Sequence, residues 1–277
     1  MSSAQFCPLS KLDKLILATD RSPFSKGAEQ EAINLAKKCS SHLNVVSVLE
    51  SNPEYETIGS AYFEKEEEEI IKYLESFKEK ASQEGINCKA FLLQGESPFR
   101  LIVDEAAEKK VDMIIIGRHG RTGLTKVLMG KVAANIIGLA PCKVLIVPKA
   151  ARIEYRKLLV ATDGSENSIA AASEAIGIAK QCESQIIVVS VMSSQIESEE
   201  AKANVVKVVE MAQKEGIKVE ALTPLGKPHE AIIETASGMG VDLIVMGRYG
   251  KTGLKKLFMG SATEKVIGLS GCAVLVV

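Results

Sequence analysis

The chain reads as an α/β protein built twice, each half an open parallel sheet with helices on both faces. Three observations carry that reading. "KLILATDRS" (residues 14–22) returns 143 positions later as "KLLVATDGS" (residues 157–165). "GRHGRTGLTKVLMGKVAA" (residues 117–134) returns 130 positions later as "GRYGKTGLKKLFMGSATE" (residues 247–264), and 16 of the 31 positions of 117–147 match 247–277. Between these signatures, short β-branched runs alternate with helical patterns, the mark of strand–helix–strand units. A period this long means two tandem domains, not a solenoid. The boundary falls in "PKAARIEYR" (residues 148–156), which divides the chain into domains 1–150 and 151–277.

The first half supplies the strand runs "KLILAT", "LNVVSVL", "CKAFLL", "DMIIIG" and "KVLIV" in that order; the second supplies "KLLVAT", "QIIVVSV", "KVEALT", "DLIVMG" and "AVLVV". They are apolar on both faces, as parallel strands under two layers of helices must be. The intervening helical patterns of the first half are "SKGAEQEAINLAKKC", "EKEEEEIIKYLESFKEKASQEG", "SPFRLIVDEAAEKK" and "KVAANIIGLA". The acidic run 64–69 is placed at a helix start, where carboxylates suit the dipole, with Glu68 and Lys72 an i, i+4 pair. Such a run reads as a solvated face, not a metal site. Ligands of open α/β sheets bind beyond the carboxyl ends of the strands. Both repeated signatures fall there, "ATD" after the first strand and the glycine segment after the fourth.

Composition narrows the function classes. Apolar residues make up 46% and charged residues 25%, the balance of a soluble globular protein. A net charge of −1 gives no pull toward nucleic acid or a membrane surface. No apolar run is long enough to span a bilayer, and "MSSAQFCPLS" lacks the features of a signal peptide, so a cytoplasmic location is expected. The six cysteines contain no CxxC pair, and Cys39 with Cys182 and Cys142 with Cys272 fall at equivalent places. They read as small buried hydrophobes in a reducing compartment. His42, His119 and His229 are scattered, which argues against a zinc set.

The glycine segment is not a Walker A loop: Gly250-Lys251-Thr252 has the tail, but Val245 stands where the first glycine is needed. What remains is G-x2-G-x9-G at Gly247, Gly250 and Gly260, followed by Ser261-Ala262-Thr263 at a helix start. Glycines permit close approach of a ligand, and a helix N-terminus offers free N–H donors to phosphate. Leu254, Leu257 and Phe258 would pin the loop, with Lys251, Lys255 and Lys256 around them. Ser261 with Glu264 also matches a capping box, and Asp163 in "TDGS" also reads as a helix cap. Cap and cradle remain open alternatives at both places.

The motif G-x2-G-x9-G-[ST] after the fourth strand, paired with "ATD" after the first, resembles the universal stress protein family over nearly the whole chain. The resemblance implies a doubly wound five-stranded parallel sheet of order 3-2-1-4-5 in each half, the halves pseudo-two-fold related. It implies an ATP or AMP site, with or without Mg²⁺. Carried over by position, Ala161, Thr162 and Asp163 would line the adenosine pocket and Val191 would meet the adenine. Met246, Gly247, Arg248 and Gly250 would wrap ribose and phosphates, and Gly260, Ser261, Ala262 and Thr263 would hold the phosphates. Ala18, Thr19, Asp20, Val48, Gly117, Arg118 and Gly120 keep the adenosine part in the first half. There Gly130 is followed by Lys131-Val132-Ala133, so both hydroxyls are missing. Lys131 is either a point charge for phosphate or a solvated first-turn residue. The second half is therefore expected to bind nucleotide better than the first.

The expected function is an adenine-nucleotide-binding stress-response module acting as a sensor or through an unidentified protein partner, without nucleic acid or membrane partners. A slow ATPase and a scaffold with vestigial sites are the alternatives. No catalytic residue or metal site is assigned, since Asp163 is the single carboxylate placed near the pocket. The terminal runs "KVLIV" and "AVLVV" are apolar edges that invite pairing. They suggest an intramolecular pseudo-dimer and, beyond it, a homodimer.

Overall fold

A computed structural model of the chain describes residues 7–9, 12–51, 60–120, 129–251 and 259–277. The first half runs β1 (Lys14–Ala18), α1 (Lys26–Cys39), β2 (His42–Glu50), α2 (Ser60–Gln83), β3 (Cys88–Gly95), α3 (Pro98–Lys109), β4 (Met113–Gly117), α4 (Lys131–Leu139) and β5 (Lys143–Val147). The second half runs β6 (Lys157–Ala161), α5 (Glu166–Cys182), β7 (Gln185–Val189), α6 (Ser198–Lys214), β8 (Val219–Leu222), α7 (Pro228–Gly238), β9 (Leu243–Met246), α8 (Ser261–Leu269) and β10 (Ala273–Val276).

Each half has the order 3-2-1-4-5, and the two join into one ten-stranded sheet, β3-β2-β1-β4-β5-β10-β9-β6-β7-β8. Neighbours within a half are parallel, whereas β5 and β10 are antiparallel, with Leu275 opposite Leu145. A two-fold relation between the halves requires that change of direction. The apolar edges expected to pair do so with each other, which removes the hazard of two exposed strand edges.

Alternate residues of each strand feed opposite cores. Leu15, Leu17, Met113 and Ile115 pack under α1 and α2, while Ile16, Ile114 and Ile116 pack under α3 and α4. Leu158, Val160 and Leu275 extend the first core across the seam, and Leu159, Ile244 and Val274 extend the second. The connecting segment is itself anchored. Tyr155 is buried, and its hydroxyl donates to Glu31 of the first half at 2.6 Å. Its N–H donates to Asp242 at 2.9 Å.

Two sequence expectations are corrected. Cys39 is not a free buried thiol: it forms a disulfide with Cys7, while Cys88, Cys142, Cys182 and Cys272 are free. Cys7 lies ahead of the repeat, so the second half offers Cys182 no equivalent partner. In addition, α2 starts at Ser60, so the acidic run sits inside the helix and not at its N-terminus. Glu68 and Lys72 do pair on its exposed face, 3.7 Å apart. Glu66 turns inward instead and pairs with Arg21, both side chains only 14% exposed. Among the described residues no helix is long and apolar enough to cross a membrane.

Candidate functional site

A cleft opens where β1 and β4 end side by side; its counterpart by position in the second half, the second cleft, is where β6 and β9 end side by side. In each, the threonine of "ATD" continues the ladder for one bond and then begins a turn. Thr19 N–H donates to Val46 O at 3.0 Å, and Thr162 N–H to Val189 O at 2.9 Å. The threonine hydroxyls then accept from the N–H of Arg21 and of Gly164. These two residues take left-handed backbone, φ 67° at Arg21 and 78° at Gly164. Glycine does so without strain, whereas the arginine holds a costly conformation.

The aspartates follow. Asp20 accepts from Ser22 N–H at 3.1 Å and from Ser25 Oγ at 2.6 Å. Asp163 accepts from Ser165 N–H at 3.0 Å and, through its other oxygen, from Lys251 N–H at 2.6 Å. Burial pushes the Asp163 carboxyl up, but hydrogen bonds from Ser165 and Lys251 outweigh it and hold the group below its usual range. Ser165, not Asp163, is the helix cap, accepting from Ser168 N–H. Asp163 thus ties the glycine segment to the first strand of its half.

Each glycine segment is closed by a hydrogen bond from its third glycine. Gly130 N–H donates to Arg118 O at 3.1 Å, and Gly260 N–H to Arg248 O at 3.0 Å. The three glycines of a segment have different jobs. A Cβ at Gly247 would lie 2.8 Å from the Asn167 backbone, and one at Gly250 2.4 Å from Asp163 Oδ2. Packing demands glycine at those two positions. At Gly260 a Cβ would make ordinary contacts at 3.5 Å, and φ is −69°. No described atom demands glycine there, and the same holds at Gly130, with φ −65° and 3.6 Å; at both places glycine is a favourable N-cap. What its missing side chain leaves open is the approach to the N–H groups of the helix that follows.

Gly260 occupies the N-cap, with Ser261 the first helical residue, so the Ser261–Glu264 capping box does not form. Ser261 is exposed and Ala262 half-buried. Thr263 is buried and donates its hydroxyl to Gly247 O at 3.1 Å; it braces the loop instead of reaching for phosphate. Val191 does not end the second strand of its half: β7 stops at Val189, while Val48 lies inside β2. Ala18, Ala161 and Met246 are at the strand ends beside these turns.

The arginine side chains reach across the seam. Arg248 Nη2 donates to Ala140 O at 3.0 Å, at the end of α4 in the other half. Arg118 Nη1 donates to Ser270 O at 2.7 Å, at the end of α8. Both guanidinium groups thus bond to the other half, although Arg118 also lines the first cleft. The pinning residues Leu254, Leu257 and Phe258, with Thr252, Lys255 and Lys256, lie outside the described residues.

The clefts differ in shape and charge. The first encloses about 810 Å³, walled by apolar groups such as Val48, Phe99, Ile102 and Met129, a volume within the range of small-molecule sites. Its lining carries the carboxylates Asp20, Glu50, Glu96 and Glu66, the last paired with Arg21, together with the cations Arg118 and Lys131. In the second, Ser193 stands in the place of Glu50. There Lys251 Nζ pairs with Glu200 of α6, and a Cβ on Gly164 would meet Asn204 Oδ1 at 2.2 Å. Lys251, read from the sequence as spacer, is in fact part of the wall.

The model of the universal stress protein family matches residues 11–148 and again residues 154–277. The chain belongs to this family. Among individual universal stress proteins, MJ0531 of Methanocaldococcus jannaschii is 36% identical over 139 residues, spanning 44% of this chain and 82% of that protein. MJ0577 of the same organism is 44% identical over 80 residues, spanning 29% of this chain and 49% of that protein. The crystal structure of a universal stress protein from Archaeoglobus fulgidus shares the fold across both halves. Its TM-score is 0.76, with 22% identity, covering 95% of this chain and 97% of that one. The tandem arrangement is therefore shared with a solved member of the family.

The carboxylates Glu50, Glu66 and Glu96 were missed in reading the sequence, because three separate segments supply them. Aligning the two copies held one signal: Glu50 faces Ser193 in the repeat.

Proposed function

We propose that this universal stress protein binds an adenine nucleotide, ATP or AMP, at the carboxyl edge of its sheet. It acts as a sensor or partner-binding module, with the second cleft as the phosphate site. The observation that carries the reading is Gly260: no described atom demands glycine there, and as N-cap it brings no side-chain hydrogen bond to the first N–H groups of α8. The N–H groups of Ser261 and Ala262 would hold phosphate, supported by the partial positive charge of the helix end. The Lys251 ammonium, paired with Glu200 in the structure, is the nearby cation that phosphate would have to draw away. Asp163, Gly247 and Gly250 would line the ribose, and backbone around Val191 the adenine. A Mg²⁺ ion would travel with the phosphates of ATP, bound by their oxygens and water.

The first cleft has room for a nucleoside, but the carboxylates Glu50 and Glu96 in its lining oppose phosphate more than Lys131 attracts it. We do not extend the proposal to turnover. Asp163 is held ionised by backbone donors, and a carboxylate with a lowered pKa is a weak general base.

The test is direct. Purified full-length protein is denatured and the supernatant chromatographed for adenine nucleotides, and stripped protein is titrated with ATP and with AMP. Bound or bindable nucleotide is expected, with Ser261→Glu weakening ATP at least tenfold. No binding at millimolar nucleotide would favour the vestigial scaffold.

A further inference from the structure

Each arginine of the glycine segments works at two places. Its carbonyl holds the third glycine of its own segment: Arg118 O accepts from Gly130 N–H, and Arg248 O from Gly260 N–H. Its guanidinium grips the far end of the corresponding helix in the other half. Arg118 Nη1 reaches Ser270 O at 2.7 Å and Ile267 O at 3.4 Å. Arg248 reaches Gly138 O at 3.4 Å, Ala140 O at 3.0 Å and Cys142 O at 3.5 Å. Except for Cys142 O, just before β5, the acceptors are carbonyls at helix C-termini, groups without intrahelical partners, where a cation also meets the negative end of the dipole.

These contacts close a ring. Arg118 holds the start of α4, Arg248 holds the end of α4 and the start of α8, and Arg118 holds the end of α8. Each helix has nine residues, a rigid strut of about 13 Å. The start of each strut faces one cleft, and its far end is fixed by the glycine segment of the other. We infer that Arg118 and Arg248 are positioning residues that couple the two clefts. Seating a phosphate on α8 in the second cleft is sensed through Arg118 at Gly130 in the first, and the reverse through Arg248. Coupling of this kind is reciprocal, so a ligand in either cleft changes affinity in the other by the same factor.

The inference rests on the nucleotide reading for its ligand, but its mechanical part can be tested without one. The chain has no tryptophan, so Tyr249→Trp and, separately, His119→Trp place one fluorescent reporter beside each cleft. In the Tyr249→Trp background, ATP is titrated with Arg118 intact, with Arg118→Met and with Arg118→Lys. Methionine keeps an apolar stem, while lysine keeps the charge without the fork that spans several carbonyls. Arg118→Met is expected to weaken ATP at the second cleft about tenfold and Arg118→Lys about threefold, although residue 118 belongs to the first half.

In parallel, amide hydrogen exchange is measured in Arg248→Met without nucleotide. Exchange at Gly130 and Ala134 is expected to quicken about tenfold, because the far end of α4 has been released. ATP affinity within twofold of the parent in both Arg118 variants overturns the coupling. Faster exchange confined to Ala140, with Gly130 unchanged, overturns the positioning role. A reporter protein that binds no ATP refutes the nucleotide reading instead and leaves the exchange result to decide the positioning role.

Discussion

The first cleft is open, apolar and rimmed by carboxylates; the second is crossed by Lys251 and Asn204 and has its aspartate bound into the glycine segment. Both come from one duplicated sequence, on one continuous sheet. The backbone device of turn, aspartate and uncapped helix survives in both halves, so the scaffold does not distinguish them. The side chains that ring each scaffold do. The missing hydroxyls of the first half matter less than its sequence suggests, since Thr263 is already spent on Gly247 O. Charge at the rim is the larger difference.

The tightest contrast lies at the first glycine of each segment. A Cβ at Gly247 would press on Asn167 backbone at 2.8 Å, whereas one at Gly117 would meet Phe24 O at 3.1 Å. Gly247→Ala is expected to cost about 3 kcal/mol of stability and Gly117→Ala about 1 kcal/mol, as overpacking does. Urea midpoints of the two variants measure this. Equal losses would mean that the second half is not the more tightly closed.

A second contrast lies at the seam. Glu31 of α1 and Glu174 of α5 are equivalent residues, and each reaches into the other half. Glu31 accepts from the buried Tyr155 hydroxyl, while Glu174 pairs with Lys143 at 2.8 Å on a partly exposed surface. Burial raises the Glu31 carboxyl to about 7, against an ordinary 4.5, with the Tyr155 hydrogen bond opposing the rise. The folded state therefore keeps a proton that the unfolded chain gives up between those values. Stability from this group is present below pH 4.5 and declines as pH rises through 7. Relative to Glu31→Gln, the parent should lose about 2 kcal/mol between pH 5 and pH 8. Glu174→Gln should cost under about 1 kcal/mol at neutral pH, as partly exposed pairs do. Denaturant melts at both pH values decide it; an unchanged slope in Glu31→Gln would remove Glu31 from the account.

The charge explanation can be pushed the other way. Glu50→Ser gives the first cleft the residue found opposite, Ser193, and Glu96→Lys reverses a second charge in its lining. ATP affinity at the first cleft should rise about tenfold, worth ~1.4 kcal/mol, read through the His119→Trp reporter. No gain would show that the rim carboxylates do not set the preference.

Much of this was legible in the sequence, and the rest was not, for physical reasons. The inner strands are short apolar runs that could be read directly, whereas the edge strands β3 and β8 are partly exposed and carry polar residues such as Lys89 and Glu220, so the reading of every strand as apolar on both faces fails there. The sites of Asp163, Gly247 and Gly250 were visible as spacing. What an arginine does with a long side chain was not: Arg118 and Arg248 cross the seam to carbonyls about 110 to 150 positions away. The Cys7–Cys39 disulfide joins the repeat to a segment outside it, where the comparison of copies has no reach. Lys251 looked like spacer because its partner Glu200 lies on α6, in a part of the repeat where the copies differ most.

The third glycines offer the finest comparison, because there fold and ligand make opposite demands. Alanine at Gly260 or Gly130 needs no change of backbone and, among the described residues, meets no atom closer than 3.5 Å. The stability cost of each should stay below about 1 kcal/mol, the loss from exchanging a glycine N-cap for alanine. If phosphate sits on α8, the added methyl of Gly260→Ala stands between it and the first N–H groups, and ATP should bind about tenfold more weakly at the second cleft. Gly130→Ala should leave ligand binding in the first cleft within about twofold, because the carboxylate rim already keeps phosphate away. Calorimetric titration of ATP into the two variants, beside their thermal melts, separates the two demands. A loss of affinity in Gly130→Ala as large as that in Gly260→Ala would make the clefts alike in how they hold phosphate, and charge would no longer account for their difference.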